Sequence, residues 1–241
     1  RRLDYITIGM IAVAVLFLVG TRLSAPTRES AQPAVHGTEA AVASEHSIAV
    51  LPFDNFSGDP AQAYFADGIT EDLITDLARL PGLIVIARHS SFAYKGKQVI
   101  PQQVARELGV RYLLEGSVQR QGDRLRINAQ LIDALSGQHL WADRYGGTMN
   151  DVFAVQDKVI GEIVAALQLK LPDTTGRRET SNPAAYDALL QGLERLRQGS
   201  EAETIAAIKA FERAVALDPD YARAHALLAA AHWQIVSSTW E

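Results

Sequence analysis

The chain contains no cysteine. That absence excludes a disulfide scaffold, thiolate metal sites, a cysteine nucleophile and a lipid-bearing cysteine anchor. Clustered cations are scarce as well: the formal charge is -5, and Lys or Arg never runs beyond an adjacent pair. Phosphate binding needs a concentrated basic face, so no nucleic-acid partner is expected for this portion. Motifs that carry chemistry are missing too. No glycine-rich phosphate loop occurs, and the nearest basic glycine segment, Tyr94-Lys-Gly-Lys97, reads as a solvated loop. The histidines (His36, His46, His89, His139, His225, His232) do not fall at ligand spacing. His225 and His232 share a helical face and read as packing positions rather than metal ligands. Ser90 and Ser91 lie beside His89, but no G-x-S-x-G elbow frames them as nucleophiles. No catalytic residue, cofactor or metal is expected, and the chain is read as non-enzymatic.

What is present begins with an apolar stretch. Ile6 to Thr21 carries no charge, follows Arg1-Arg2, and is broken by Thr7, Gly9 and Gly20. At a rise of about 1.5 Å per residue, Leu3 to Leu23 just reaches across a hydrocarbon core of about 30 Å, so residues 1–23 are read as one transmembrane helix with its flanks. A cleavable secretory signal is the competing reading, because Ser24-Ala25 offers small residues beyond the apolar core; a buried helix is a third. Either of the first two carries the rest of the chain out of the cytoplasm. Arginines stand on both sides of the span (Arg1, Arg2, Arg22, Arg28), so the positive-inside count does not decide, whereas the lack of lysine from Leu23 to Tyr94 suits a translocated segment. The start at Arg1 rather than Met makes this an expected piece of a longer protein.

Residues 24–46 are rich in Ala, Ser, Thr, Glu and Pro and form an expected flexible tether. A folded α/β (α+β) domain is expected over 47–172. Ile48 to Phe53 is a short apolar run stopped by the turn-forming Asp54-Asn-Phe-Ser-Gly-Asp-Pro60, which predicts a buried strand and an exposed loop. Phe65, Ile69, Leu73, Leu77 and Leu80 recur at helical spacing, and Pro81-Gly82 ends that helix before a second buried strand, Leu83 to Ala87. Pro101 opens and Gly109 caps a shorter helix. Tyr112 to Arg120 predicts a strand, and Leu125, Ile127, Ala129 and Leu131 alternate with polar residues as a half-exposed antiparallel strand does. His139 to Tyr145 is another strand. Asn150 is placed to cap a last helix with Val152, Val155, Val159, Ile163 and Leu167 on one face. The predicted order is β-α-β-α-β-β-β-α.

After a polar linker over 173–183, residues 184–241 are helical and Ala-rich. Ala207, Phe211, Ala214 and Pro219 carry a repeat spacing in which small residues let two helices approach and Pro ends the second. Gly192 belongs to the first helix of the unit, about three residues farther from Ala207 than usual, which predicts an enlarged inter-helix turn. Tyr221 begins a second, partial repeat whose first helix lacks a neighbour here. The acidic and amide set Asp54, Asn55, Asp59, Asp67 and Glu71, with Asp72 beside it, gathers near the end of the first strand and the start of the first helix. It is the candidate ligand loop, since oxygen-rich clusters can hold Ca²⁺, although turn chemistry and a helix-start preference are the plainer explanation and no metal is expected.

The segments Ser47 to Phe56, Tyr64 to Leu73, Tyr112 to Val118, Ile127 to Asp133 and His139 to Tyr145 together resemble the TolB amino-terminal-like domain of bacterial transmembrane regulators, which follows a single span and precedes tetratricopeptide repeats. The resemblance implies a bacterial inner-membrane, single-pass protein with residues after about 24 in the periplasm and, upstream of the span, an adenylate or guanylate cyclase of class III or, less often, a winged-helix DNA-binding domain. It carries no catalytic or ligand residues to this chain. The expected partners are a protein or peptide for the helical repeats, the membrane for Ile6–Thr21, and a second copy in a homodimer. An envelope assembly factor acting by protein contacts alone is a further reading, and a hydrolase would need a pocket of convergent titratable groups that the sequence does not reveal.

Overall fold

The computed structural model describes residues 44–169 and 179–238. The expected span at Ile6–Thr21, the tether as far as residue 43 and most of the linker lie outside them, and among the described residues no helix is long and apolar enough to cross a membrane. The chain forms β1 (Ser47–Val50), β2 (Asp54–Asn55), α1 (Ala63–Ala78), β3 (Ile84–Val85), α2 (Arg88–Phe92), α3 (Pro101–Leu108), β4 (Tyr112–Gln121), β5 (Arg124–Asp133), β6 (Gln138–Thr148) and α4 (Val152–Ala166). Three further helices follow, α5 (Pro183–Arg197), α6 (Glu201–Leu217) and α7 (Ala222–Ser238). An α/β domain followed by a helical segment is the class the sequence predicts. The predicted order β-α-β-α-β-β-β-α needs two insertions, β2 and α2. Both are too short to impose a period on the sequence: β2 is a two-residue pairing inside the turn-rich loop, and α2 spans five residues.

The sheet has the order β3-β1-β4-β5-β6, with β2 also pairing to β4. Pairings β1 to β3, β1 to β4 and β2 to β4 are parallel, while β4, β5 and β6 form an antiparallel meander. The turn-forming loop after β1 therefore continues along β4 in the same direction, held by Phe56 N–H donating to Val118 O at 2.7 Å. β1 is buried on both faces, as a central parallel strand should be. Ile48 and Val50 join a core with Phe65, Ile69 and Leu73 of α1 and Val159 and Ile163 of α4, while Ala49 and Leu51 face Val104 and Ala105 of α3. The second predicted strand is corrected: only Ile84 and Val85 pair, at the sheet edge, and Ile84 is 55 % exposed. One neighbouring strand covers only one side of that segment.

Of the two predicted helix caps, Gly109 is met and Asn150 is not. Gly109 takes the left-handed conformation (φ 67, ψ 35) that closes α3, and Val110 N–H reaches back to Ala105 O at 2.9 Å. Gly122 turns the β4–β5 hairpin at φ 60. Asn150 does not cap α4. A capping box between Thr148 and Asp151 closes a short 3₁₀ turn, Met149–Asp151, ahead of the helix, with Thr148 N–H donating to Asp151 Oδ2 at 2.7 Å, and Asn150 sits inside that turn. The predicted face of α4 is buried throughout at Val152, Val155, Val159, Ile163 and Leu167.

In β5 the alternation is realised: Leu125, Ile127, Ala129 and Leu131 are buried and Arg124 and Arg126 exposed. Ile127, 1 % exposed, lies in the core opposite Val118 and Tyr145. Ile127→Asp buries an unpaired charge and should cost several kcal/mol in urea denaturation, enough to unfold the domain, whereas Arg126→Asp on the solvent face should change stability by less than about 1 kcal/mol. Equal losses from the two variants would place β5 in the other register.

Candidate functional site

Helix α1 has almost no free face. Phe65, Ala66, Ile69, Leu73 and Leu77 are buried, and so are Asp67, Gly68 and Thr70. One side lies on the sheet, where Thr70 Oγ1 accepts from Phe53 N–H at 3.0 Å. The other side takes α5. Gly68 makes that approach close: a Cβ there would stand 2.5 Å from both Cδ atoms of Leu190. Tyr186, one turn earlier on α5, places its ring edge-on to Phe65 and Phe153, at 6.4 and 5.2 Å between centroids. Ala185, Leu189 and Leu190 of α5, then Phe211 of α6 and Tyr221 and Ala224 at the start of α7, belong to the same apolar cluster as the sheet residues. One core runs from the sheet through α1 into the repeat helices.

Two polar clusters flank this apolar seam. In the first, Asp187 of α5 receives Arg120 Nη1 of β4 at 2.7 Å, Tyr64 Oη of α1 at 2.8 Å and its own helix neighbour Gln191 Nε2 at 3.0 Å. Gln191 Oε1 in turn accepts from Arg213 of α6 at 3.0 Å. In the second, Glu71 of α1 pairs with Arg88 of α2 at 3.0 Å, Arg197 of α5 at 2.8 Å and Arg223 of α7 at 3.3 Å. Beside it, Asp72 accepts from Tyr186 Oη at 2.5 Å and from Gln156 Nε2 of α4 at 3.5 Å, and lies 3.6 Å from Arg223 Nη1. Burial pushes the Asp72 carboxyl up to about 6, although the Tyr186 hydroxyl and the Arg223 charge both oppose the shift. Tyr186 is itself raised well above the usual phenol range by burial and by the Asp72 charge.

The residues read from sequence as a ligand loop are dispersed among separate tasks. Asn55 Nδ2 donates to Asp59 O at 2.8 Å, and Asp59 Oδ1 caps the 3₁₀ turn at Ala61 N–H, so these two complete a turn. Asp67 is buried on α1 and its Oδ2 accepts from Lys95 Nζ at 2.5 Å; Lys95, in the segment expected to be merely solvated, is therefore an ion-pair partner. Glu71 is the hub of the seam. Asp54 alone faces an open concavity, a groove of about 590 Å³ on the outer face of β4–β6 that Phe56, Glu115, Asn128 and Arg144 also line. Among the described residues no group of His, Asp or Glu is arranged to hold a metal. His225 and His232 are both exposed on α7 rather than packed, and His225 Nε2 lies 2.9 Å from Pro219 O. Ser91 is buried, whereas Ser90 and His89 are exposed on α2.

The repeat signature is met in space. Ala207, Phe211 and Ala214 are fully buried, and a Cβ on Gly192 would come within 2.4 Å of the Phe211 ring, so the bare glycine is the slot into which Phe211 fits. Pro219 is exposed just past the end of α6. The enlarged inter-helix turn is corrected. Only Gln198-Gly199-Ser200 join α5 to α6, with Gly199 at φ 69 and Ser200 Oγ accepting from Glu203 N–H, and the extra residues are taken up as helix. Sequence reading missed the seam, because pairs that build it join distant residues, Arg120 to Asp187 across 67 positions and Glu71 to Arg223 across 152. The one local signal was Gly68 in the middle of a helical pattern, which costs about 1 kcal/mol relative to Ala unless something approaches it.

Phe211→Ala should cost about 3–5 kcal/mol in thermal or urea unfolding, since it empties a closed slot. Asp187→Ala, which strands Arg120 in a pair whose side chains are 19 % and 14 % exposed, should cost about 2 kcal/mol. Asp76→Ala, which breaks an exposed pair with Arg79, should cost less than about 0.5 kcal/mol in the same assay. A loss for Asp187→Ala no larger than that for Asp76→Ala would mean that the seam cluster adds nothing to stability.

Comparison with known proteins agrees with this anatomy. A tetratricopeptide-repeat family model matches residues 205–236. A protein of Rhizobium meliloti (strain 1021) provisionally named adenylate cyclase 3 is 55 % identical over 188 residues, 76 % of this chain, and the match spans 32 % of that relative's length. Solved structures to which the chain shows similarity include TolB from Acinetobacter baumannii (20 % identity, TM-score 0.37, covering 50 % of this chain and 28 % of that one) and the lipoprotein GNA1162 from Neisseria meningitidis (19 %, 0.38, 49 % and 98 %). An α/β domain followed by tetratricopeptide repeats, the arrangement predicted from sequence, is the one found. The family model described as "HilA/YgeH-like transcriptional regulator, second domain" matches residues 44–171, more than half of the chain, and the chain belongs to that family.

Proposed function

We propose that this chain is the non-enzymatic, extracytoplasmic sensing and protein-interaction region of a membrane-bound bacterial signalling protein whose effector is a nucleotide cyclase. The observation that carries the reading is the shared core. The repeat helices bury Leu190 against Gly68 and pair Arg197 and Arg223 with Glu71, so a partner that shifts the repeats must also shift α1 and the sheet beneath it. Packed interfaces of this kind pass from one arrangement to another rather than deforming continuously. The cyclase named in the 55 % identical relative supplies the candidate output. In this reading residues 47–172 and 184–241 act as one input module, the repeats take a protein or peptide, and Ile6–Thr21 anchors the module in the inner membrane with everything after about residue 24 in the periplasm. A single helix transmits most simply through a change in how two copies associate, so the working form is a homodimer set by the soluble domains.

A second reading comes from the family model, whose description is that of a transcriptional regulator. The same input module would then serve a winged-helix DNA-binding effector, and the residues that precede Arg1 in the longer protein discriminate between the two.

Two measurements test the proposal. Alkaline phosphatase fused at about Ala43 should be active; an inactive phosphatase with a fluorescent cytoplasmic reporter at the same position would reverse the topology. In the longer protein, Gly68→Leu should force α5 off α1 and change cyclic-nucleotide output several-fold without altering the cyclase domain. Unchanged output from a protein whose α5 has demonstrably come away would remove the coupling.

A further inference from the structure

We infer that the seam between α1 and α5 is a proton-sensitive latch, with Asp72 as its titrating group, and that mild acid tightens the docking of the repeats on the α/β domain. The inference rests on the coupling proposed above and adds the signal that biases it. Asp72 stands where four helices meet, and the groups that face it come from each. From its own helix α1, Glu71 and Asp76 act on it as like charges. From α4, Gln156 offers an amide N–H, and from α5 Tyr186 donates its hydroxyl. From α7 comes the Arg223 guanidinium, and Tyr221 just ahead of that helix feels the Asp72 charge. No histidine is among them.

The arrangement leaves the carboxylate under-compensated. Asp72 keeps 19 % of its side-chain surface, too little to hydrate a full charge. Among the described residues the cation that faces it, Arg223, is shared, because it also serves Glu71 at 3.3 Å and Glu179 at 3.5 Å. Burial and the neighbouring carboxylates favour the acid form, and Tyr186 and Arg223 favour the anion. Burial dominates, and the folded group titrates at about 6 against an ordinary 3.8. The direction of the effect follows. A carboxyl that binds its proton more tightly when docked than when open stabilises the docked state fully below the ordinary value, and that contribution is lost as the pH rises through about 6. Ordinary acid denaturation runs the other way, so the latch has a distinguishable sign. Because Tyr186 is wedged between Phe65 and Phe153, its hydroxyl stays aimed at Asp72 in both protonation states, and the titration acts on the helix contact rather than on a swinging side chain.

Hydrogen exchange of the full chain, corrected for intrinsic rates at about pH 5, 6 and 7.5, reads the opening of α5. With the folded and ordinary values above, the opening equilibrium should rise about tenfold from pH 5 to pH 7.5. Asp72→Asn should abolish that dependence and leave α5 as protected at pH 7.5 as the unmodified chain is in acid. Tyr186→Phe, which removes a donor to the anion, should move the midpoint upward while keeping the dependence. A flat profile in the unmodified chain, or a dependence that survives Asp72→Asn, overturns the latch, as does an unmoved midpoint in Tyr186→Phe. Gly68→Leu serves as the reference: if it opens α5 while the unmodified chain shows no pH dependence, the coupling stands without the latch, and if it leaves α5 protected, the coupling itself fails.

Discussion

Everything in this chain hangs on the need to cover α1 twice. A helix with Phe65, Ile69, Leu73 and Leu77 toward a sheet is ordinary, but this one also buries Gly68 on a second side, which an amphipathic surface helix would leave in water. The sheet cannot reach that second side. α5 reaches it, at a separation that only a residue without a side chain permits, and the remaining repeat helices are carried in behind it. The α/β domain and the repeats are therefore fused through one helix that neither owns.

The electrostatics follow from the same geometry. Docking a helix on a partly polar face traps carboxylates, and each trapped carboxylate must find cations or donors or lose its charge. Asp187 solves this with an arginine and a phenol from the α/β domain, and Glu71 with three arginines from α2, α5 and α7. Asp72 is the member left with a hydroxyl, an amide and a shared arginine, and burial holds its carboxyl above the ordinary range.

How much of this could be read from the residues depended on how local each cause was. The alternation of β5, the face of α4, the Gly109 cap and the Phe211 slot are written within a few turns of chain, and all were legible. Elements too short to show a period, β2 and α2, were not, nor was the cap at Thr148, where a 3₁₀ turn displaced the expected start by two residues. The site was the least legible part. Glu71 and Asp72 looked like helix-start acids near a loop, and nothing nearby in sequence announces that Tyr186, Arg197 and Arg223 come to meet them. Asp54 and Asp67, grouped with them by proximity along the chain, go to a surface groove and to Lys95 instead.

The notch at Gly68 also bears on how such proteins are assembled in evolution. A repeat array joined by a bare linker can be exchanged for any other array by a crossover in the linker. Here such an exchange would bring a foreign first helix against a groove shaped for Leu190, beside carboxylates that expect arginines at fixed positions. Successful recombination would have to cut beyond α7, so that the first repeat and the helix after it are inherited with the α/β domain while later repeats remain free to vary. The natural joint of the molecule lies inside its repeat array, past the helices that bring Arg197 and Arg223 to Glu71, and not at the boundary that composition alone would draw.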